Sequence, residues 1–311
     1  MIFEFVTMEN EVAAVSLPTL IGLSRNVARL RFSHHGRHAV QGGAYLSAFK
    51  GRGMEFAETR PYTAGDDIRN LDWRVTARTG KTHTKLFQEE RERPVFIAVD
   101  ARRSMFFATR GCFKSVLASQ MAALIAWSVM QHGDRIGGQI FSERSSLELK
   151  PEHGRRAVLH FLRKLTELQP AADESSEERG LPEALTRLHR HVRPGSLVFL
   201  LSDFRGYSRA CETALLRLRR HSDVVLLKLY DPLESTLPDQ GRYDFSFGRR
   251  RFSLHATQRA ADAYTRRFQE NVEMLSALSR SRHMRFGTCS TQQDPLPVLM
   301  QIAGVSSQSF R

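Results

Sequence analysis

Two apolar runs that each end on an aspartate constrain this chain more than any other feature: V-F-I-A-V-D at Val95–Asp100 and L-V-F-L-L-S-D at Leu197–Asp203. A run with no polar alternation is typical of a strand covered on both faces. Asp223–Tyr230 is a third run of this kind. Such strands need helices above and below, and helical spans lie between them at Phe113–Gln131, Gly154–Leu168, Leu181–Val192 and Ser208–Arg220. Arg135–Phe141 and Ser146–Lys150 read as further strands. Asp231–Leu254 breaks the rhythm and reads as a hairpin, with strands near Tyr243–Phe247 and Arg251–Leu254. A long helix at Ala256–His283, a short strand at Arg285–Cys289 and a helix at Asp294–Ala303 close the chain. This alternation predicts an α/β fold with a doubly wound, mostly parallel, Rossmann-like sheet and right-handed crossovers.

The part before Pro94 is less regular. Pro18–Leu30 predicts a short amphipathic helix through Leu20, Leu23, Val27 and Leu30. A Gly- and His-rich stretch follows, with His34, His35 and His38 lacking a carboxylate or cysteine at ligand spacing. Gly51 and Gly53 form only a fragment of a dinucleotide fingerprint, with Phe56 where the third glycine belongs. Arg60–Arg78, R-P-Y-T-A-G-D-D-I-R-N-L-D-W-R-V-T-A-R, packs arginines, aspartates and a tryptophan into one segment. It reads as a polar lock, with Arg60, Asp66, Arg69, Asp72 and Arg78 as paired charges and Trp73 as a buried anchor. Asp66 or Asp67 is expected to cap one helix whose Ile68, Leu71 and Val75 share a face, ended by Gly80. Thr82, Thr84 and Leu86 then alternate as a strand.

Composition narrows the function classes. Of 311 residues 41% are hydrophobic and 25% charged, as in soluble globular proteins. Lys and Arg outnumber Asp and Glu by 46 to 33, a formal charge of +13, which favours acidic partners. Cys112, Cys211 and Cys289 are widely spaced and odd in number, which fits a reducing compartment rather than a disulfide framework. No run has the length of a transmembrane helix. The first residues carry Glu where a signal peptide needs Lys or Arg, so the expected location is cytoplasmic, with Met1 or Met8 as the start.

In open α/β sheets ligands bind beyond the carboxyl ends of the strands. Asp100 and Asp203 reach that edge, and Ser104 follows four residues after Asp100. Two carboxylates and a hydroxyl can hold Mg2+ or Mn2+ through oxygen. This is the arrangement of the metal-ion-dependent adhesion site of von Willebrand factor A domains, whose first loop reads D-x-S-x-S. Here it reads D-A-R-R-S-M, with Arg102 in place of the first serine. The threonine expected before Leu181 is missing too, with only Ser175 or Ser176 to stand in. A degenerate site follows, in which a guanidinium neutralises both aspartates; each lost oxygen ligand weakens a hard cation. Arg102 or Arg103 would then bond a partner's carboxylate directly.

Taken together, R-P-Y-T-A-G-D-D-I-R-N-L-D-W-R-V-T-A-R, K-L-F-Q-E-E-R-E-R-P, V-D-x-x-x-S-M, F-K and G-D-R-I-G resemble the domain-of-unknown-function-58 family. Arg60, Tyr62, Gly65, Asp66, Asp67, Arg69, Asp72, Trp73 and Arg78 carry that signature. The resemblance implies a von Willebrand A-like domain at 93–311, with a hairpin insertion near 240–255. A smaller β-containing segment at 33–92 would precede it, behind an extension at 1–32. Members are typically bacterial and accompany MoxR-type AAA+ ATPases, as partners or adaptors in protein maturation, alongside other von Willebrand A proteins. No catalytic activity is established for the family.

The chain has no G-x-S-x-G, Walker loop or H-E-x-x-H, and the strand-end aspartates have no nucleophile beside them. The expected function is a non-enzymatic protein-interaction role. Nucleic-acid binding is the alternative, through Arg205, Arg209, Arg217, Arg219 and Arg220 and the interleaved Phe245, Phe247, Arg249, Arg250, Arg251 and Phe252.

Overall fold

The computed structural model describes residues 12–32, 54–63, 66–89, 92–169, 180–238, 242–247, 250–255 and 257–304; for 54–58, 86–89, 242–247 and 250–255 only the backbone is described. His34, His35, His38, Gly51, Gly53, Gly65, Ser175, Ser176 and Arg249 lie outside the described residues. The chain divides into two units: Met1–Ser33 with Arg93–Arg311, and His34–Glu92.

The first helix is set by its cap. The Ser16 hydroxyl accepts the Thr19 N–H at 3.3 Å, and α1 (Leu17–Gly22) follows. A 3-10 turn at Leu23–Asn26 continues it. The sequence reading sets residues 1–32 apart as an extension, whereas the contacts group them with the later unit. The reason is hydrophobic: Leu20, Val27 and Leu30 are fully buried in the core that the later helices share. The Leu20 carbonyl accepts the Trp127 indole N–H at 2.9 Å, and the Leu30 carbonyl accepts the Ser128 hydroxyl.

In the smaller unit, β1 (Met54–Pro61) pairs antiparallel with β2 (His83–Glu89), which places Arg60 opposite Thr84. The expected single helix between them is two pieces. Asp67 caps a 3-10 turn at Ile68–Asn70, and Asp72 caps α2 (Trp73–Thr79) by accepting the Arg74 and Val75 N–H groups, each at 3.1 Å. Between the pieces Leu71 is extended and bridges to Thr84, so its backbone joins the strand pair instead of a helix. Gly80 ends α2 with φ +69°, a left-handed conformation that glycine adopts without strain.

The polar lock is therefore partly a set of caps. Arg60 pairs with Asp66 at 2.6 Å, and Asp66 also accepts the Thr63 N–H at 2.9 Å. Those contacts, the Thr63 N–H first, hold Asp66 below the usual carboxylate range. The Tyr62 N–H donates to the Thr82 carbonyl at 2.9 Å. Asp67 and Asp72 serve helix N–H groups, with Lys85 no nearer to Asp72 than 4.0 Å. Arg69 and Arg78 have no ion pair among the described residues. Trp73 is 69% exposed and is not a buried anchor; it occupies the first position of a seven-residue helix, right after the cap Asp72. Replacing Trp73 with Ala is expected to change unfolding free energy by no more than about 0.5 kcal/mol, as at other exposed positions. Urea denaturation checks this, and a loss in the range for a buried tryptophan would restore the anchor.

The larger unit is a three-layer α/β sandwich. β3 (Pro94–Asp100) leads through α3 (Lys114–Gln131) to β4 (Arg135–Phe141), and β5 (Ser146–Glu152) returns antiparallel beside it. α4 (Gly154–Thr166) and α5 (Leu181–His191) precede β6 (Leu197–Ser202). α6 (Arg209–His221) leads to β7 (Asp223–Tyr230), then α7 (Pro232–Ser235) and the hairpin β8 (Arg242–Phe247) and β9 (Arg250–His255). α8 (Gln258–Ser281), β10 (Arg285–Ser290) and α9 (Pro295–Ala303) finish the fold. The sheet order is β10-β7-β6-β3-β4-β5, parallel except for β5. This is the mostly parallel, doubly wound sheet that the strand–helix alternation predicts.

Period-two alternation divides each central strand between two cores. Val95, Ile97 and Val99 face α3 and α4, with Leu197, Phe199 and Leu201 beside them. Phe96 and Ala98 face α5 and α6, with Val198, Leu200, Val224 and Leu226. α3 is buried along nearly its whole length, which explains its unbroken apolar sequence. Among the described residues no helix is long and apolar enough to cross a membrane.

Candidate functional site

The winding direction reverses between β3 and β6, so the crevice beyond their carboxyl ends is the ligand position of this topology. Alternation decides which side chains arrive there. Asp100 continues the Phe96–Ala98 face of β3, Ser202 the Val198–Leu200 face of β6, and Lys228 the Val224–Leu226 face of β7. The register pairs Val99 with Leu201 and Ser202 with Lys228, so the three polar residues form a row just past the apolar core. Buried polar groups in such a row must bond one another or neighbouring loops.

They do both. The Ser202 hydroxyl donates to Asp100 Oδ2 at 2.6 Å. Arg102 folds back on Asp100, with Nε 3.0 Å from Oδ1 and Nη2 2.6 Å from Oδ2. Its Nη2 also lies 3.6 Å from Asp203 Oδ1, and its Nη1 donates to the Arg205 carbonyl at 2.9 Å. One guanidinium thus clamps the ends of β3 and β6 together. On the other side of Asp203, Lys114 at the start of α3 donates to Oδ2 at 3.0 Å and to Glu234 Oε1 at 2.6 Å. Lys114 is wholly buried, and a cation at a helix N-terminus opposes the helix dipole, so these carboxylates are what hold it.

The titration behaviour follows. Burial alone would raise Asp203, but Lys114, the Arg205 N–H, Arg102 and the Ser104 hydroxyl outweigh it and hold the carboxyl at about 2. Burial would likewise lower Lys114, and Asp203 and Glu234 instead hold it above its ordinary value. Full burial pushes Asp100 up, against the pull of Arg102 and Ser202; Arg102 itself is raised by Asp100 against its own burial and keeps its proton.

Asp100, Ser104 and Asp203 therefore do come together, and they do not fit a divalent cation. Arg102 and Lys114 already supply the positive charge, and Asp100 and Asp203 already accept bonds on both oxygens. Among the described residues no group of three or more His, Cys, Asp and Glu side chains could hold a metal. Arg102 is corrected as a partner-binding residue. It is 8% exposed, and its donors are directed at Asp100, Asp203 and the Arg205 carbonyl. Arg103 is half-buried, and its backbone N–H donates to Glu143 at 2.7 Å.

Sequence reasoning missed four members of this edge: Lys114, Lys228, Glu234 and Asp231. Asp231, fully buried at the end of β7, accepts the Thr109 N–H at 2.7 Å, the Thr109 hydroxyl at 2.5 Å and the Thr291 hydroxyl at 3.2 Å. It ties the loop before α3 to the end of β10, where Gly111 lies so close to the Thr291 carbonyl that a Cβ would fall within 2.0 Å of it. A signal for Lys228 existed in V-V-L-L-K-L-Y, a single cation inside a buried run.

The basic cluster around α6 is not a uniform free surface. Arg219 donates to the Arg282 carbonyl at 3.0 Å and lies 3.6 Å from Asp223. Arg205, Arg209, Arg217 and Arg220 make no side-chain ion pair among the described residues. The side chains of Phe245, Phe247, Arg250, Arg251 and Phe252 lie outside the described residues.

An uncharacterized protein of Mycobacterium bovis is 31% identical over 199 residues, 64% of this chain and 62% of that protein, so the chain spans less than two thirds of this relative. Among solved structures, a conserved hypothetical protein BatB from Bacteroides thetaiotaomicron aligns with TM-score 0.47 and 13% identity, over 70% of this chain and 100% of that one. A von Willebrand factor type A structure from Catenulispora acidiphila aligns with TM-score 0.41 and 10% identity, over 72% and 43%. The family described as protein of unknown function DUF58 matches residues 58–271, more than half of the chain. The chain belongs to the DUF58 family.

Proposed function

We propose that this protein is a non-enzymatic adaptor that docks a protein partner on the carboxyl edge of its sheet. The partner is a MoxR-type AAA+ ATPase, acting in maturation or assembly of other proteins in the cytoplasm, and other von Willebrand A proteins join the same assembly. The observation that carries the reading is the closed polar cluster. Asp100, Asp203, Arg102 and Lys114 neutralise one another, so the edge keeps a fixed shape and offers no free nucleophile or base at its centre. A rigid, pre-organised edge suits recognition, because little ordering entropy opposes binding.

In this reading docking needs no bridging metal on the adaptor's side. The test immobilises the purified chain and offers a purified MoxR-type ATPase with a non-hydrolysable ATP analogue. Nucleotide-dependent retention at moderate salt is expected. Failure to retain the ring in any nucleotide state would remove the ATPase from the model.

A further inference from the structure

α8 outruns the sheet it packs on. It has 24 residues, about 36 Å of helix, against about 26 Å for the eight residues of β7. It runs antiparallel to β10, so its C-terminal half lies on the sheet and its N-terminal half projects past the carboxyl edge. One helical stripe makes both contacts. Leu275 and Leu278 belong to the apolar core, whereas Tyr264, Phe268 and Asn271, on the same stripe, overhang the strand ends. Between this overhang and the loop after β6 is an open cleft of about 430 Å³.

Its charges are unbalanced. Asp203 and Glu234 on the cleft wall are both already paired with Lys114. Lys228 at the floor donates to neutral acceptors, the Asp203 carbonyl and Asn271 Oδ1, each at 2.9 Å, and its ammonium lies 5.4 Å from the centre of the Phe268 ring, so neither of its two hydrogen-bond acceptors is a carboxylate. Arg205 and Arg267 line the cleft, are exposed, and have no ion pair among the described residues. The Tyr207 hydroxyl on the same wall is out of contact with solvent and has no hydrogen-bond partner. Three cations thus converge beside two aromatic rings.

We propose that this cleft binds an acidic peptide segment of the partner. Its carboxylates meet Arg205, Arg267 and the Lys228 floor, and an adjacent aromatic or large aliphatic side chain lies on Tyr264 and Phe268. Planar guanidinium forks match carboxylates in paired hydrogen bonds, and the formal charge of +13 draws an acidic segment in. Centring the docking edge on this cleft rests on the adaptor reading; its capacity to bind an acidic peptide does not.

The test uses the full chain and the double variant Arg205→Glu/Arg267→Glu, whose positions are exposed and leave the fold intact. The probe is a fluorescein-labelled hexapeptide of alternating Glu and Phe, read by anisotropy, with a Lys–Phe hexapeptide and a single-stranded oligonucleotide as comparators. We expect the acidic peptide alone to bind tightly, and the double variant to lose about a hundredfold in affinity, roughly tenfold per charge-assisted contact. Arg220→Glu on α6 should bind as wild type. Equal peptide binding by the double variant would overturn the cleft, as would an oligonucleotide that outcompetes the peptide. ATPase capture by the double variant at wild-type levels overturns the cleft as docking site and leaves the adaptor reading standing. A wild-type chain that binds the peptide through these arginines but captures no ATPase supports the cleft and sinks that reading.

Discussion

Asn in place of Asp100 lowers the unfolding free energy by about 3–5 kcal/mol, the range for removing one member of a buried ion pair. The Arg102 guanidinium, 8% exposed, keeps one neutral amide oxygen, Asp203 at 3.6 Å and one carbonyl as its acceptors but loses the charge it is paired with, and Ser202 loses its charged acceptor. The same substitution discriminates between the internal-cation site and a metal site. With Arg102 as the resident cation, urea denaturation shows the loss in buffer with and without magnesium, and wild type is indifferent to the ion. A wild-type melt that rises with magnesium or manganese, and stops rising in Asp100→Asn, would sink the internal-cation account.

Lys114→Met is the second large effect. Methionine keeps the apolar stem and removes an ammonium that is wholly buried between Asp203 and Glu234. The expected loss is about 3–5 kcal/mol at neutral pH, because both carboxylates lose their closest cation. Its pH dependence has a definite sign. Asp203 is depressed from its ordinary value to about 2, and Lys114 leads the groups that depress it. A depressed carboxyl stabilises the fold above its ordinary value, near 4, and that contribution disappears as the pH falls toward 2. For Asp203 it amounts to about 2 kcal/mol. Wild type therefore weakens more steeply than Lys114→Met between about pH 4 and pH 2, and the gap between them narrows by about 2 kcal/mol. Denaturation midpoints at neutral and acid pH check this, and a gap that stays constant would exclude Lys114 as the cause of the depression.

The larger unit was legible in the sequence because its strands have no exposed face. V-F-I-A-V and L-V-F-L-L declare burial on both sides, and burial on both sides requires flanking helices. The same reading located Asp100 and Asp203, since a strand-end position needs only the local run to identify it. Lys114 was not legible: its partner Asp203 is 89 positions away, and no local pattern encodes that distance. The smaller unit was misread where local chemistry competes. Ile68, Leu71 and Val75 have helical spacing, but Asp72 is a strong cap and Leu71 bonds a strand, so the helix restarts. Trp73 was assigned to a core on residue type alone, although its place at the start of a seven-residue helix leaves most of the ring in solvent.

The double occupation of the sheet edge by Arg102 and Lys114 has a consequence for how this surface can change. Changing Arg102 to serine does not by itself create an ion-binding edge, since Lys114 still lies 3.0 Å from Asp203. Losing Lys114 alone leaves the guanidinium on Asp100. Either single step removes a buried charge partner and lowers stability before any new ligand is gained. A mutational path to metal dependence therefore crosses a destabilised intermediate, and the internal cations hold the edge against change one substitution at a time.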